Sequence, residues 1–538
     1  MAHSTDSTVI APSPLLPDRR ILERARLSRD PRFDGRFFIA VTSTGIYCRP
    51  ICPAPSPKRV NVRYFPTAAA AAEAGFRPCL RCRPEAAPGT PAWLGTSAVV
   101  RRALRLIEEG ALDELSVEAL ADRVGLGARH LHRLFARYVG ASPIAVAQTR
   151  RLHFAKRLVD ETSLTMTEIA LAAGYGSLRR FNDAFRAAYG RAPREIRRGE
   201  VARGVEAAKA AGNALEPARD AAARRSEAAD STTVVLRLAY RPPYDWASLF
   251  EFLAARAVPG VEQVDAGGYA RTVALPAADL PAAAGGLRPA AILRVRPLPG
   301  RDELELAVTG APPASLFQLS MTARRTFDLA ADPALTTRAL RSDPVLRDLL
   351  RRRPGLRIPG VWDPFECAVR AVLGQQVSVA AARTLAARLV VRAGRAVPSP
   401  ADGLTHLFPS PADLARADLG GLGMTGARIA AIQALARAVL DGTLDFTAPP
   451  EEVISALEAL PGIGTWTAHY IALRGLGDPD ALPAADLVLR RMAAAGARPL
   501  TARELERRAE TWRPWRSYAV MHLWRAAGEE SIPGGTSP

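Results

Sequence analysis

The chain is short of cysteine, short of aromatic residues and short of acid relative to base. Only five of its 538 residues are cysteine, and aromatic side chains make up 6%. So little cysteine excludes a disulfide-stapled scaffold, whose cysteines would be dense. No uninterrupted apolar run reaches the length that crosses a bilayer, so no transmembrane helix is expected. The N-terminal stretch MAHSTDSTVIAPSPLLPDRR lacks a basic start followed by an apolar segment, so it does not read as a secretory signal. A reducing, cytoplasmic compartment fits both absences, and there clustered cysteines bind metal more often than they pair. Acidic residues number 54 against 72 basic ones, a formal charge of +18. The excess is mostly arginine, gathered in helical-looking segments such as RLHFAKR and LRDLLRRRPGLR. A polyanion is the expected partner, nucleic acid first.

What is present is then informative by its placement. Four of the five cysteines fall in two close pairs, Cys48/Cys52 in YCRPICP and Cys79/Cys82 in RPCLRCRP. Two such pairs joined by a longer segment read as a tetrahedral thiolate zinc site. Zinc held by four thiolates serves as a structural pin. It also keeps its sulfurs deprotonated and electron-rich, so an alkyl-accepting nucleophile is the alternative. Ahead of the first pair, alternation near Phe37 to Val41 predicts a strand, and TAAAAAEAGF predicts a short helix delivering the second pair.

From about Ser97 to Arg198 the pattern is helical and duplicated. SVEALADRVGLGARHLHRLFARYVG and TMTEIALAAGYGSLRRFNDAFRAAYG each run helix, Gly-containing turn, basic helix, with Ser116 and Thr165 as expected N-caps. One copy could be an ordinary helical hairpin; two copies with arginine on the second helix point to DNA. Arg129, His130 and Arg133 on one helix, and Arg179, Arg180 and Asn182 on the other, are the candidate contacts to phosphate or base edges. Residues 199–231 are Ala-rich and charged and read as a linker. Strand-like alternation resumes at Thr232 and continues to about Ala314, an α+β unit, after which the chain reads as helical to about Gly528.

In LEALPGIGTWTAHYIALRG, the glycines permit a tight hairpin between two helices, the second starting near Thr465. Its N-terminus would seat a phosphate, with Gly462, Gly464 and Thr465 as the contact residues; a plain helix–helix turn is the alternative. About twenty residues on, Asp486 in PAADLVLRR precedes another helix, where it either caps that helix or acts as a lone carboxylate.

The stretch DGRFFIAVTSTGIYCRPICPAPSPKRVNVRYFPTAAAAAEAGFRPCLRCRPE resembles the N-terminal domain of the Ada family of DNA-alkylation sensors. That resemblance implies Zn2+ held by Cys48, Cys52, Cys79 and Cys82, and Cys48 as the acceptor of a methyl group from a DNA methylphosphotriester. Transfer would remove one negative charge and so tighten DNA binding. The segment IALAAGYGSLRRFNDAFRAAYGRAPREIR resembles an AraC-type DNA-binding domain. From Thr232 to Glu530 the chain resembles the helix-hairpin-helix DNA glycosylases, nearest the inducible 3-methyladenine type, carried by LPGIG, DPFECAVRAVLGQQVSVAAARTLAARLV and ETWRPWRSYAVMHLWRAAGE. That resemblance implies Asp486 as the catalytic carboxylate, Trp466, Tyr470 and Trp524 as the base pocket, and Gln376 as the wedge filling the gap left by the flipped base. Strand-cutting relatives place a lysine where Trp466 stands, so a monofunctional N-glycosylase is expected. Only Cys367 lies in this half, so no iron–sulfur cluster is expected.

The expected architecture is multidomain and mostly α with α+β parts. Residues 1–90 form a small zinc α/β methyl-acceptor domain and 97–198 an AraC-type double helix-turn-helix. The linker 199–231 follows, then a TBP-like α+β subdomain at 232–314 and an all-α glycosylase domain at 315–530. Its expected partners are double-stranded, alkylated and promoter DNA, with RNA polymerase for transcriptional activation. No membrane is expected, and the state is monomeric, in the bacterial cytoplasm at the nucleoid.

Overall fold

The computed structural model describes residues 16–88, 98–108, 110–198, 233–275, 290–401, 403–496 and 498–530. The chain divides into two compact units, Met1–Ala222 and Ala223–Pro538. The expected linker at 199–231 lies outside the described residues. No described helix is long and apolar enough to cross a membrane.

The first unit opens with helix α1 (Arg19–Ser28) and a four-stranded sheet ordered β3–β1–β2–β4. Strands β1 (Phe38–Val41), β2 (Ile46–Cys48) and β3 (Val62–Phe65) are antiparallel neighbours, and β4 (Arg77–Pro78) runs parallel to β2. The expected strand near Phe37 to Val41 is β1. Parallel strands need a crossover, and α2 (Ala68–Glu73), capped by Thr67, supplies part of it. Phe38, Ala40, Tyr47 and Phe65 bury their side chains against the alanine face of α2. Alanine there lets the helix lie close to the sheet.

The duplicated pattern folds as two helix-turn-helix halves. In the first, α3 (Val117–Arg123) is capped by Ser116 and α4 (Ala128–Tyr138) follows. A long helix, α5 (Pro143–Glu161), connects it to α6 (Met166–Ala172) and α7 (Leu178–Tyr189). Thr165 and Glu168 form a reciprocal capping box on α6. Gly125 and Gly174 take φ of +73° and +79° at the two turns, the left-handed region where glycine is unstrained.

The zinc unit and the α5 helix are packed together. Thr67 Oγ1 donates to Val139 O at 3.0 Å, and Glu73 accepts from Ser142 N at 3.0 Å and Ser142 Oγ at 2.6 Å. Lys156, fully buried, pairs with Asp160 at 2.5 Å and Glu85 at 3.5 Å. Tyr47 Oη lies 2.9 Å from His153 Nε2, and burial pushes that imidazole down to about 4, so it is neutral at physiological pH.

In the second unit, β5 (Thr233–Ala239), β6 (Glu262–Asp265), β7 (Gly268–Ala274), β8 (Ala290–Pro297) and β9 (Glu303–Thr309) form an antiparallel sheet ordered β5–β9–β8–β7–β6, with helix α8 (Trp246–Arg256) beside it. The helices that follow include α9 (Pro364–Leu373) and α10 (Val379–Ala393). A buried ion network ties sheet to helix. Arg271 meets Glu366 at 2.7 Å, while Arg370 reaches Glu262 at 2.9 Å and Glu366 at 2.8 Å.

One expectation is corrected here. The region beyond Ala314 is not helical throughout: β10 (Arg395–Ala401) and β11 (Leu404–Leu407) form a hairpin. Thr272 Oγ1 on β7 donates to His406 O at 2.6 Å, so the hairpin is fastened to the larger sheet. Pro398 and Pro400 lie inside β10 and disguise it, because proline is unusual in paired strands. Helices α11 (Pro450–Glu458), α12 (Thr465–Gly475), α13 (Leu487–Ala493) and α14 (Arg516–Glu530) complete the unit.

Candidate functional sites: a sulfur cluster and a capped carboxylate

Sheet register brings the two cysteine pairs together. Tyr47 pairs with Pro78 across β2 and β4, so Cys48 and Cys79 follow side by side. Cys79 N donates to Tyr47 O at 3.0 Å. The four sulfurs of Cys48, Cys52, Cys79 and Cys82 lie within 4.8 Å of one another. Cys79 and Cys82 are buried and Cys48 and Cys52 half-buried. Thiols this close cannot all ionise unaided. Neighbouring thiols, Cys48 first, hold Cys52 down to about 7 and Cys79 lower still. Hydrogen bonding with the same neighbours pushes Cys48 and Cys82 up. A divalent cation removes that conflict, and an all-sulfur tetrahedral set suits Zn2+.

Arg49, next to Cys48, was not singled out from the sequence. Its backbone N–H donates to Cys82 Sγ at 3.3 Å and its Nη1 to Cys82 O at 3.0 Å. Asp34 fixes the guanidinium, accepting from Nε at 2.9 Å. The arginine thus braces one ligand through two bonds. Its sequence signal was its place directly after Cys48.

The six helix-turn-helix candidates all lie on the second helix of their half. Arg129, His130 and Arg133 on α4 and Arg179 and Arg180 on α7 are exposed, and Asn182 is half-buried. Arg179 makes only a loose 3.9 Å approach to Asp183.

In the second unit Asp486 is the N-cap of α13. Its Oδ1 accepts from Leu489 N at 2.9 Å, and its Oδ2 accepts from Trp466 Nε1 at 2.8 Å. Capping is therefore present, and it leaves the carboxylate half-exposed. Trp466 lies parallel to Tyr470, with centroids 5.3 Å apart and 12° between planes, and Trp524 is 6.1 Å from Tyr470. The three aromatic residues named from the sequence are thus brought together beside Asp486. The Trp466–Tyr470 spacing admits no further ring between them.

Arg474, also not anticipated, sits one turn below Tyr470. Its Nη1 donates to Tyr470 Oη at 2.8 Å, and its other nitrogens donate to Pro359 O and Gly360 O. Its guanidinium stacks over Phe252 at 4.6 Å. Spaced i, i+4 on α12, it locks the tyrosine ring.

The hairpin before α12 behaves unevenly. Gly462 has φ +78° and a Cβ there would lie 3.0 Å from Ala431 Cβ, so glycine is required. Gly464 is an extended N-cap that any residue could adopt conformationally. An added Cβ at Gly464 would meet nothing within 4 Å, so the space beside it is open. Thr465 begins α12 and is exposed, as expected. Gln376 is exposed at φ +55° on the turn between α9 and α10, flanked by exposed Val377 and Val379. Its neighbour Gln375 donates to Gly462 O at 2.8 Å and Thr467 Oγ1 at 3.1 Å. Those bonds clip the turn that carries Gln376 to the hairpin.

Comparison with known proteins agrees with this geometry. Residues 22–85 match the metal binding domain of Ada, and 120–199 a helix-turn-helix domain. Residues 235–363 match the AlkA N-terminal domain, and 369–517 the HhH-GPD superfamily of base excision DNA repair proteins. A Mycobacterium tuberculosis protein named "Probable bifunctional transcriptional activator/DNA repair enzyme AlkA" is 43% identical over 93% of this chain and 95% of its own length. The Escherichia coli "DNA-3-methyladenine glycosylase 2" is 38% identical over 54% of this chain and 97% of its own. The Escherichia coli "Bifunctional transcriptional activator/DNA repair enzyme Ada" is 41% identical over 28% of this chain and 40% of its own. The chain belongs to the family of bifunctional transcriptional activator/DNA repair enzymes that join an Ada-type zinc domain and helix-turn-helix to an AlkA-type glycosylase.

Proposed function

We propose that Cys48 takes a methyl group from a DNA methylphosphotriester and that Asp486 drives release of alkylated bases such as 3-methyladenine. The observation that carries the second half is the Asp486 carboxylate, half-exposed beside the Trp466–Tyr470 stack. The first half rests on the four convergent sulfurs.

Zinc, when bound by Cys48, Cys52, Cys79 and Cys82, would keep the sulfurs as thiolates. The Arg49 amide N–H reaches the sulfur of Cys82 and damps its nucleophilicity. Cys48 is half-buried and borders an open cleft. Its Sγ attacks the methyl carbon. The new S–C bond forms as the bond from the methyl carbon to the phosphate oxygen breaks; the electron pair stays on that oxygen and the P–O bond is kept, restoring an ordinary diester. The thioether has no easy return to a thiol, so each chain acts once.

At the other centre an N-alkylated purine is cationic, and its glycosidic bond breaks with the electron pair going to the base. Asp486 stabilises the positive sugar left behind and orients the water that adds to it. Trp466, Tyr470 and Trp524 offer electron-rich faces to the cationic base. Trp466 offers no amine for a Schiff base, which supports a monofunctional glycosylase that leaves the abasic strand uncut. Gln376 would fill the vacated stack, and the backbone at Gly462, Gly464 and Thr465 would hold a phosphate. Arg129, His130, Arg133, Arg179, Arg180 and Asn182 would contact promoter DNA. On this reading the protein is a monomer in the bacterial cytoplasm, gathered at the nucleoid, and recruits RNA polymerase once methylated.

Incubation with methylated duplex should release 3-methyladenine, and Asp486→Asn should cut that release about 10²- to 10⁴-fold. Wild-type protein that binds the duplex and frees no base would reduce the second unit to a DNA-binding module.

A further inference from the structure

The cleft that exposes Cys48 is not made by the zinc unit alone. Its volume is about 790 Å³, and its lining combines Cys48 and Cys52 with Tyr189, Gly190 and Arg191 from the end of α7. The contact is close: a Cβ at Gly190 would lie 3.3 Å from Arg77 Nη1 on β4. Gly190 has φ +68° and terminates α7, so the chain turns there and carries Arg191 to the cleft.

Apart from the cysteine sulfurs, the charged side chains of this lining are all of one sign. Five arginines contribute to it and no carboxylate does. Two of the five are already engaged. Arg49 is paired with Asp34, and Arg26 with Glu23 at 2.5 Å. The other three, Arg77, Arg81 and Arg191, are exposed. These three exposed cations favour an anionic ligand, one extended enough to meet charges contributed by two sequence-distant parts of the chain. A nucleic-acid backbone, with regularly repeated phosphates, meets both requirements.

We propose that the methyl-acceptor site is a composite phosphate clamp. Arg77 and Arg81 from the zinc unit and Arg191 from the second helix-turn-helix half grip the DNA phosphates that flank the methylated one. The neutral triester itself carries no charge to be recognised, so its charged neighbours must align it against Cys48. The helix-turn-helix module thereby takes part in repair as well as in promoter binding. This inference rests on Cys48 as the methyl acceptor.

The test is single-turnover methyl uptake by the full-length zinc-loaded protein from a short duplex bearing one methylphosphotriester. Each phosphate contact is worth roughly a threefold change in affinity over a fourfold change in salt. Arg191→Ala should slow uptake at sub-saturating DNA about threefold to tenfold at low salt, and lower the slope of log affinity against log salt by about one. Arg191→Glu should slow it further, and Arg191→Lys should restore most of the rate. Arg194→Ala, an exposed arginine outside the cleft lining, serves as the matched control and should behave as wild type. Alkylation of Cys48 by methyl iodide, which needs no DNA, should proceed equally in all of them. Equal uptake and equal salt slopes in wild type and Arg191→Glu would overturn the clamp while leaving Cys48 as acceptor. Slower methyl iodide alkylation in Arg191→Ala, matching its slower uptake from DNA, would also overturn it, since the arginine would then act on the sulfur site. Wild-type protein that takes no methyl on Cys48 from the duplex would instead remove the reading on which the clamp rests.

Discussion

The two reactive centres are built on opposite plans. The sulfur site is assembled by strand register within Cys48–Cys82, with two ligands buried and two half-buried. The carboxylate site is assembled by helix ends, with Asp486 capping α13, Trp466 in the first turn of α12, and Trp524 far along the chain on α14. On the proposed function, a sulfur that reacts once needs only activation and access, whereas a carboxylate that turns over needs to be returned to the same place each time. Both Asp486 oxygens accept hydrogen bonds, one from the Leu489 amide and one from the Trp466 indole, which restricts its rotamers without burying it. The contrast also concerns what a fault would do: damage to either site should leave the other working, because each lies in its own compact unit.

That independence can be broken in graded ways. Removing zinc with a strong chelator should have the largest effect, abolishing methyl uptake and unfolding the zinc sheet, while base release continues at its former rate. Paired methyl-uptake and base-release assays on one sample check this. Asp486→Asn should cut base release about 10²- to 10⁴-fold, as expected for loss of an essential acid–base or electrostatic group. Its methyl uptake should equal wild type. Glu366→Ala removes the carboxylate that Arg271 and Arg370 share and leaves both cations on Glu262 alone, a change worth about 3 kcal/mol. Calorimetry should show the transition of the second unit moved down and that of the first unmoved. Trp466→Phe keeps the ring beside Tyr470 and removes the indole donor to Asp486. The lost bond to a charged group, about 1.5–3 kcal/mol, should appear as a kcat about tenfold lower or more with KM little changed. The smallest change is Thr165→Ala, which removes the capping box of α6 and should cost the first unit about 1 kcal/mol.

How much of this was legible without coordinates differs between the sites for a physical reason. The cysteine pairs announce themselves because metal-ligand spacing is local in sequence, and the N-caps at Ser116 and Thr165 were legible on the same ground. The Trp466–Asp486 bond spans twenty residues and depends on the relative placement of two helix ends, so no spacing rule reveals it. Arg474 was hidden because an arginine on a helix ordinarily faces solvent, whereas here it is buried over Phe252. The two glycines of LPGIG read alike as permitting the tight hairpin, yet only Gly462 occupies the left-handed region. The hairpin at 395–407 was masked by its prolines. The shared cleft of Cys48 and Arg191 is a matter of packing between segments that sequence reading treats as separate domains.

The claim that two chemistries act independently in one chain is tested most directly by locating the methyl group after the Asp486→Asn protein is incubated with methylphosphotriester duplex. Peptide mass mapping should find one methyl per chain, on Cys48, at the wild-type rate. A methyl on another cysteine, or none on a protein whose zinc site is intact, would contradict the account.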